Sequence, residues 1–195
     1  MKLRVELKIY PQKPFAVASG HATAGILNSF LLRDRWERPY LPGTTIKGRL
    51  RYYLSQFAEE EDVIRLFGKS GNTPGALTFG DACLVDDALW QVEVRAGVQV
   101  DRYRRVVVDK GLAFAETART EGPLVGLITG YLPPESFQRD VALLYLALKA
   151  FTHVGKNKSR GLGRVKVEAF FYAGDEKLPE ETMREWVRKF VQGEN

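Results

Sequence analysis

The stretch Tyr40-Leu41-Pro42-Gly43-Thr44-Thr45-Ile46-Lys47-Gly48-Arg49-Leu50-Arg51 constrains this chain more than any other. Pro42-Gly43 is a turn signal: proline fixes φ, and glycine reaches conformations closed to other residues. Thr44 or Thr45 is a good N-cap, so a helix is expected to begin there. Ile46, Leu50, Tyr53, Leu54 and Phe57 then recur at helical spacing and form one apolar face, out to about Ala58. Lys47 and Arg51 lie along one edge of that face and Arg49 along the other. A free helix N-terminus has unpaired N–H groups and a positive dipole end, which suits a phosphate. Basic side chains in the first two turns oppose that dipole unless an anion is nearby. The functional reading is a helix start that seats an anion. The plainer one is a capped helix with solvated Lys and Arg.

The chain opens with strict alternation from Lys2 to Tyr10, with Leu3, Val5, Leu7 and Ile9 on one side and Lys2, Arg4, Glu6 and Lys8 on the other. That is a half-buried strand. Residues 11–41 read as a loop followed by a short extended piece. After the first helix, Glu59 to Phe67 reads as a short helix ending at Gly68. Ala76 to Val85 and Trp90 to Val100 read as strands, the second with Val92, Val94 and Val98 on alternate positions. Residues 101–121 suggest a hairpin, with Asp109-Lys110-Gly111 as its expected tip. Leu124 to Leu132 is again a strand. A helix runs from Pro133 to about Thr152, then a strand from Arg164 to Tyr172, then a last helix from Pro179. The order is strand, helix, strand, inserted hairpin, strand, helix, strand. That pattern predicts an α+β fold, a modified ferredoxin-like (RRM-like) βαββαβ arrangement with an insertion between its middle strands.

Two other stretches look chemical. His153 to Arg164 joins a helix to a strand and holds three glycines together with Lys156, Lys158, Arg160 and Arg164. No acidic residue interrupts the span from Lys149 to Val167. Glycines let a backbone approach a ligand closely, and the cations suit phosphates. The order of elements excludes a Walker loop, which needs strand, loop, then helix. The inserted hairpin mixes Arg102, Arg104 and Arg105 with Tyr103 and Phe114, as surfaces that grip phosphates and stack bases do.

The net charge of +5 and pI of about 9.3 over 195 residues fit a polyanion-binding role. The single cysteine, Cys83, can form no internal disulfide, and no apolar run approaches the length of a membrane span. Met1-Lys2-Leu3-Arg4 leads straight into a strand, so no secretory leader is expected and the expected location is the cytoplasm.

Pro42-Gly43-Thr44-Thr45-Ile46-Lys47-Gly48-Arg49-Leu50-Arg51 resembles the PGSSLKGxxR helix start of the RAMP superfamily of CRISPR-associated proteins. Leu66-Phe67-Gly68 and Gly80-Asp81-Ala82 resemble that family's next two signatures, and Ser159 to Val165 resembles its glycine-rich loop. The match is best to the repeated backbone subunit of type III (Csm and Cmr) effector complexes. The resemblance implies a single domain, with a palm over residues 1–100 and 120–175, a β-hairpin thumb at about 101–119 and a C-terminal helix over 179–192. It implies head-to-tail stacking with other RAMP subunits along a CRISPR guide RNA, with target RNA as the second partner. RNA contacts would fall on Thr44, Thr45, Lys47, Arg49 and Arg51, and on Arg102, Arg104 and Arg105 in the thumb. The glycine-rich loop would add Lys156, Lys158, Arg160, Gly161, Gly163 and Arg164.

The resemblance also raises an endoribonuclease reading, for target cleavage or guide processing. Asn28 stands where the family carries the aspartate that supports metal-dependent cleavage. A carboxamide cannot act as a base and is a poor ligand for a hard divalent cation. The remaining catalytic candidates are His21, as general acid or base, and Asp34, as a substitute carboxylate, with Lys47 as a charge stabiliser. A divalent metal such as Mg²⁺ is expected only if the chain cuts RNA.

Overall fold

The alternating first strand, β1 (Lys2–Pro11), buries Leu3, Val5, Leu7 and Ile9 completely and leaves Lys2 and Lys8 exposed. A computed structural model describes residues 1–17, 27–71 and 73–192. After β1 come β2 (Leu27–Ser29), α1 (Gly43–Leu54), α2 (Glu60–Phe67), β3 (Leu77–Phe79) and β4 (Cys83–Leu84). Two long strands follow, β5 (Leu89–Asp101) and β6 (Val106–Glu121). The chain continues with β7 (Leu124–Tyr131), α3 (Phe137–Lys149), β8 (Val165–Ala173), β9 (Glu176–Lys177) and α4 (Glu180–Gln192).

The main sheet is antiparallel with the order β3-β7-β1-β8-β9, and β4 also pairs with β7. Its first, second, third and fourth palm strands are β1, β3, β7 and β8, so the order across the sheet is 2-3-1-4. That is the ferredoxin-like arrangement predicted by the pattern. The core lies between this sheet and the helices. Ile46, Leu50 and Leu54 of α1 and Val141, Leu144 and Leu148 of α3 meet Leu7, Ile128 and Phe171 of the sheet. Helix α4 closes the layer against α3, with Met183 buried and Trp186 edge-on to Phe137 at 6.2 Å.

One polar network holds the helices together from inside. Asp62 and Asp140 are both buried. The Arg65 guanidinium reaches Asp140 and donates to Asp62 at 2.6 Å. Arg139 donates to Asp62 at 2.8 Å, and the Ser136 hydroxyl donates to Asp140 at 2.8 Å. Buried carboxylates are tolerated because donors satisfy them, and the network ties α2 to α3.

The insertion is longer than the sequence indicates. Pairing runs without a break in topology from Leu89↔Glu121 to Asp101↔Val106, so the expected palm strand over Trp90–Val100 is half of the hairpin. The tip is Arg102–Arg105, not Asp109-Lys110-Gly111. The Asp101 carboxylate accepts from the N–H groups of Tyr103 and Arg104 at 2.9 and 3.0 Å, and Arg105 takes φ +55°. That side-chain turn does the work expected of a glycine turn. Gly111 instead lies within β6, close to the irregularity at Val98/Val100. A Cβ there would lie 2.7 Å from the Val108 carbonyl oxygen. The hairpin and β2 form a separate three-stranded sheet, in which β2 runs parallel to β6.

Candidate nucleic-acid interface

Helix α1 begins at Gly43, and neither Thr44 nor Thr45 caps it. The reason lies 38 residues away in sequence. The Asp81 carboxylate accepts from the Gly43 N–H at 2.8 Å, and Leu41 and Ala82 exchange two backbone hydrogen bonds of 2.9 and 2.8 Å. This pairing splits the expected Ala76–Val85 strand into β3 and β4. Gly43 is required by space: a Cβ would lie 2.0 Å from the Phe79 carbonyl oxygen. A carboxylate at a helix start is stabilised by the dipole. Asp81 is thus one anion that the basic first turns call for, and it comes from the chain itself. The helix also ends earlier than expected, at Leu54, and Phe57 is exposed beyond it.

The cations of α1 divide into two kinds. Arg51 donates to the Gly68 carbonyl at 2.8 Å, where α2 ends, and is committed to joining the two helices. Arg49 donates to the Gly155 carbonyl at 3.1 Å, which ties the helix start to the glycine-rich loop. Lys47 is half-buried and Thr44 exposed. A shallow cleft of about 410 Å³ lies between these elements, walled by Thr44, Thr45, Gly48, Arg49, Gly155 and Lys156. Lys156 is exposed at its rim.

The glycines of that loop also divide. Gly155 and Gly163 both have φ of +70°, and a Cβ would lie 2.2 Å from the Ala16 oxygen or 2.0 Å from the Val154 oxygen. The Gly163 N–H donates to Pro14 and the Lys156 N–H to Ala16. These glycines pack the loop against the N-terminal segment, so the Gly163 N–H is taken. Gly161, at φ +77° with nothing within 4 Å, faces open space. Lys158–Arg160 form a single 3₁₀ turn beside it, and Arg164 is exposed at the loop's end.

Arg160 points towards the hairpin. Its Nη1 lies 3.6 Å from where a Cβ on Gly97 would stand. A second cleft, of about 640 Å³, is lined by Gly97, Ala113, Gly111, Arg160 and Arg102. Arg102, Arg104 and Arg105 are exposed at the hairpin tip, and Tyr103 is 95% exposed. The fold therefore brings together three regions far apart in sequence: the start of α1, the glycine-rich loop and the hairpin. Asp81 and Gly97 are residues whose part the sequence pattern did not reveal. The signal for Gly97 is a glycine inside an alternating strand, which often marks close approach of another group.

Of the catalytic candidates, Asn28, Asp34 and Lys47 lie among the described residues. His21 lies outside the described residues. Asn28 lies in β2, whose neighbour Leu27 pairs with Phe114 of the hairpin. Asp34 is 12% exposed and fully engaged: it accepts from the N–H groups of Trp36 and Arg38, both at 2.9 Å, and from Arg38 Nε at 3.1 Å. Burial raises its pKa, but the Arg38 and Trp36 N–H groups and the Arg38 guanidinium outweigh that and hold it below the ordinary value. Its ion-pair partner is Arg38, while Arg33 pairs with Glu116 at 3.0 Å. Among the described residues, no three His, Cys, Asp or Glu side chains converge as a metal site requires. The described residues do not fit a divalent cation.

A ferredoxin-like palm, a long inserted hairpin and a basic glycine-rich loop beside the first helix define the class of protein. The model of the RAMP superfamily matches residues 12–166, and the chain belongs to that superfamily. Among solved structures, it is similar to a chain of the type III-B Cmr-beta complex in its apo state. The TM-score is 0.63 at 12% identity, covering 85% of this chain and 96% of that one. It is similar also to a chain of Cmr-beta bound to cognate target RNA, with a TM-score of 0.62 at 12% identity, covering 87% and 97%. At that identity the likeness is one of fold. No curated protein sequence matches. Among the described residues, no helix is long and apolar enough to cross a membrane.

Proposed function

We propose that this chain is a guide-RNA-binding subunit of a type III CRISPR effector complex. In this reading it acts in the cytoplasm with other RAMP subunits, repeats head to tail, and organises guide and target RNA. The observation that carries this is the meeting of α1 and the glycine-rich loop in one cationic cleft, fixed by the Arg49 to Gly155 hydrogen bond of 3.1 Å.

The chemistry follows from the residues. Lys47, Lys156 and Arg160 attract phosphates as point charges and forks. Gly161 presents backbone without a side chain, so a sugar-phosphate strand can pass close to it. Arg102, Arg104, Arg105 and Tyr103 stand at the end of the hairpin, out of the palm, where they meet a strand that continues beyond the cleft. Arg51 and Gly163 act by holding the frame. The chain binds RNA in this reading and does not cut it: Asn28 supplies no carboxylate, and Asp34 has its oxygens engaged by Arg38 and Trp36.

The test is the salt dependence of binding to a fluorescein-labelled single-stranded RNA. Combined Lys47→Glu, Lys156→Glu and Arg160→Glu should weaken binding and flatten the salt slope by ~0.7 for each phosphate no longer neutralised. An unchanged slope overturns the assignment of α1 and the glycine-rich loop to RNA.

A further inference from the structure

Among the described residues, the palm sheet carries helices on one face only. Register places Lys2, Arg4, Lys8, Lys166 and Lys177 on the other face, against two carboxylates, Glu6 and Glu168. Tyr131 is 74% exposed there, with Leu127 and Val125 at 41% and 39%. None of these residues belongs to the cleft described above.

In ferredoxin-like RNA binders of the RRM type, this face stacks bases on aromatic rings. Here the Tyr172 and Phe170 rings are already covered by cations, while Tyr131 stays open. The Arg4 guanidinium stands 4.2 Å over the Tyr172 ring, and Lys177 and Lys8 stand 4.9 and 5.7 Å from the centre of Phe170. The Tyr10 and Tyr172 hydroxyls donate to Glu168 and Glu6 at 3.3 and 3.4 Å. Those two carboxylates lie where a passing phosphate would be repelled. An exposed tyrosine and aliphatic side chains within a mixed-charge rim have the make-up of a protein interface.

Arg4 pairs with Glu6 at 3.3 Å and Lys166 with Glu168 at 2.9 Å, which leaves Lys2, Lys8 and Lys177 in excess. That excess asks for an acidic partner, and the chain carries one on its opposite layer. Helix α2 opens with Glu59-Glu60-Glu61, all exposed, and Glu60 alone of the three has an ion pair among the described residues, a 3.6 Å contact with Lys69. We propose that the open sheet face docks a second copy of this chain and receives the acidic start of that copy's α2. Two different surfaces on opposite layers make a contact that does not close on itself, so each copy added offers the same face again. The inference rests on the head-to-tail reading above and adds which surfaces meet.

The test uses the full chain without RNA, so it is independent of the cleft. Equal amounts of ¹⁴N- and ¹⁵N-labelled protein are treated with a zero-length carbodiimide cross-linker, and mixed-isotope links are mapped by mass spectrometry. Links from Lys8 or Lys166 to Glu59, Glu60 or Glu61 are expected. In sedimentation velocity, Lys8→Glu with Lys166→Glu should weaken self-association at least tenfold, as should Glu60→Lys with Glu61→Lys. Mixing the two variants should restore it, because each then offers what the other lacks. Circular dichroism melts check that both variants fold. Wild-type protein that shows no mixed links and stays monomeric overturns the proposal, as does a mixture that stays apart while wild type associates. If Lys8→Glu with Lys166→Glu instead weakens RNA binding as much as the cleft substitutions do, the face is an RNA surface and the proposal fails.

Discussion

The palm sheet and the inserted hairpin are both antiparallel ladders, but different forces specify them. In the palm, β1 sets four fully buried side chains against the helices, and alternation alone decides which way it faces. The hairpin has no such cover towards its far end, where Val98 and Leu112 are each half exposed. What fixes it is the backbone ladder and a well-tied root. Phe15 and Ala118 exchange hydrogen bonds of 2.9 and 2.8 Å, and Glu116 accepts from the Leu31 N–H at 2.9 Å and from Arg33. The same secondary structure therefore serves once as core and once as an arm.

The sharpest way to break that comparison is to truncate one apolar side chain in each region. Leu7→Ala should cost ~2–5 kcal/mol, because it leaves a cavity under the sheet. Val98→Ala should cost under ~1 kcal/mol, since half of the side chain is already in water. Urea melts of the two variants measure both, and equal losses would mean that the arm is part of the core.

A middle-sized effect is expected from shortening the arm. Residues 98–112 can be removed and Gly97 joined to Ala113 through Asn-Gly, a pair suited to a two-residue hairpin turn. The melting temperature should change by less than about 3 °C. The salt slope of RNA binding should fall with the loss of Arg102, Arg104 and Arg105. A large drop in melting temperature with no change in slope would reverse the roles assigned to arm and palm.

The smallest effect tests the palm's outer helix layer. Glu180 accepts from Lys149, Tyr145 and Arg184 on one oxygen, at 2.9, 2.7 and 3.0 Å. These three donors lower its pKa from 4.5 to about 2. A carboxyl held below its unfolded value stabilises the fold above pH 4.5 and loses that contribution as pH falls towards 2. The group is half exposed and screened, so the contribution is under ~1 kcal/mol. Glu180→Gln should flatten the stability profile between those two pH values and leave the hairpin-shortening result unchanged.

What could be read in the sequence follows the same division. The palm was legible because burial writes a period into the chain, and β1, α1, α3 and β8 all carry it. The linked motifs gave the family. The boundaries that failed are those set by contacts remote in sequence. The start of α1 is satisfied by Asp81, not by a local threonine, so a capping rule applied to residues 42–45 could not find it. The hairpin tip is made by the Asp101 side chain and an arginine with positive φ, while the obvious Asp-Lys-Gly signal was spent on an irregularity within a strand. Lys47 and Arg51 look alike in sequence. Only the fold separates them, because Arg51 has the Gly68 carbonyl in reach.

Gly155 and Gly163 leave no room for a Cβ, and the reason reaches beyond packing. Of the segments they press against, Val154 is held locally by Gly163, but Pro14 and Ala16 accept from the N–H groups of Gly163 and Lys156, far along the chain. The cleft's walls come from residues 16–17, 44–52 and 155–156, so no fragment shorter than residues 16–156 contains it. During synthesis, the first two walls emerge long before the third. A nascent chain can therefore hold nothing in this cleft until the glycine-rich loop has left the ribosome and closed onto its opening segment. This cleft then forms late and all at once.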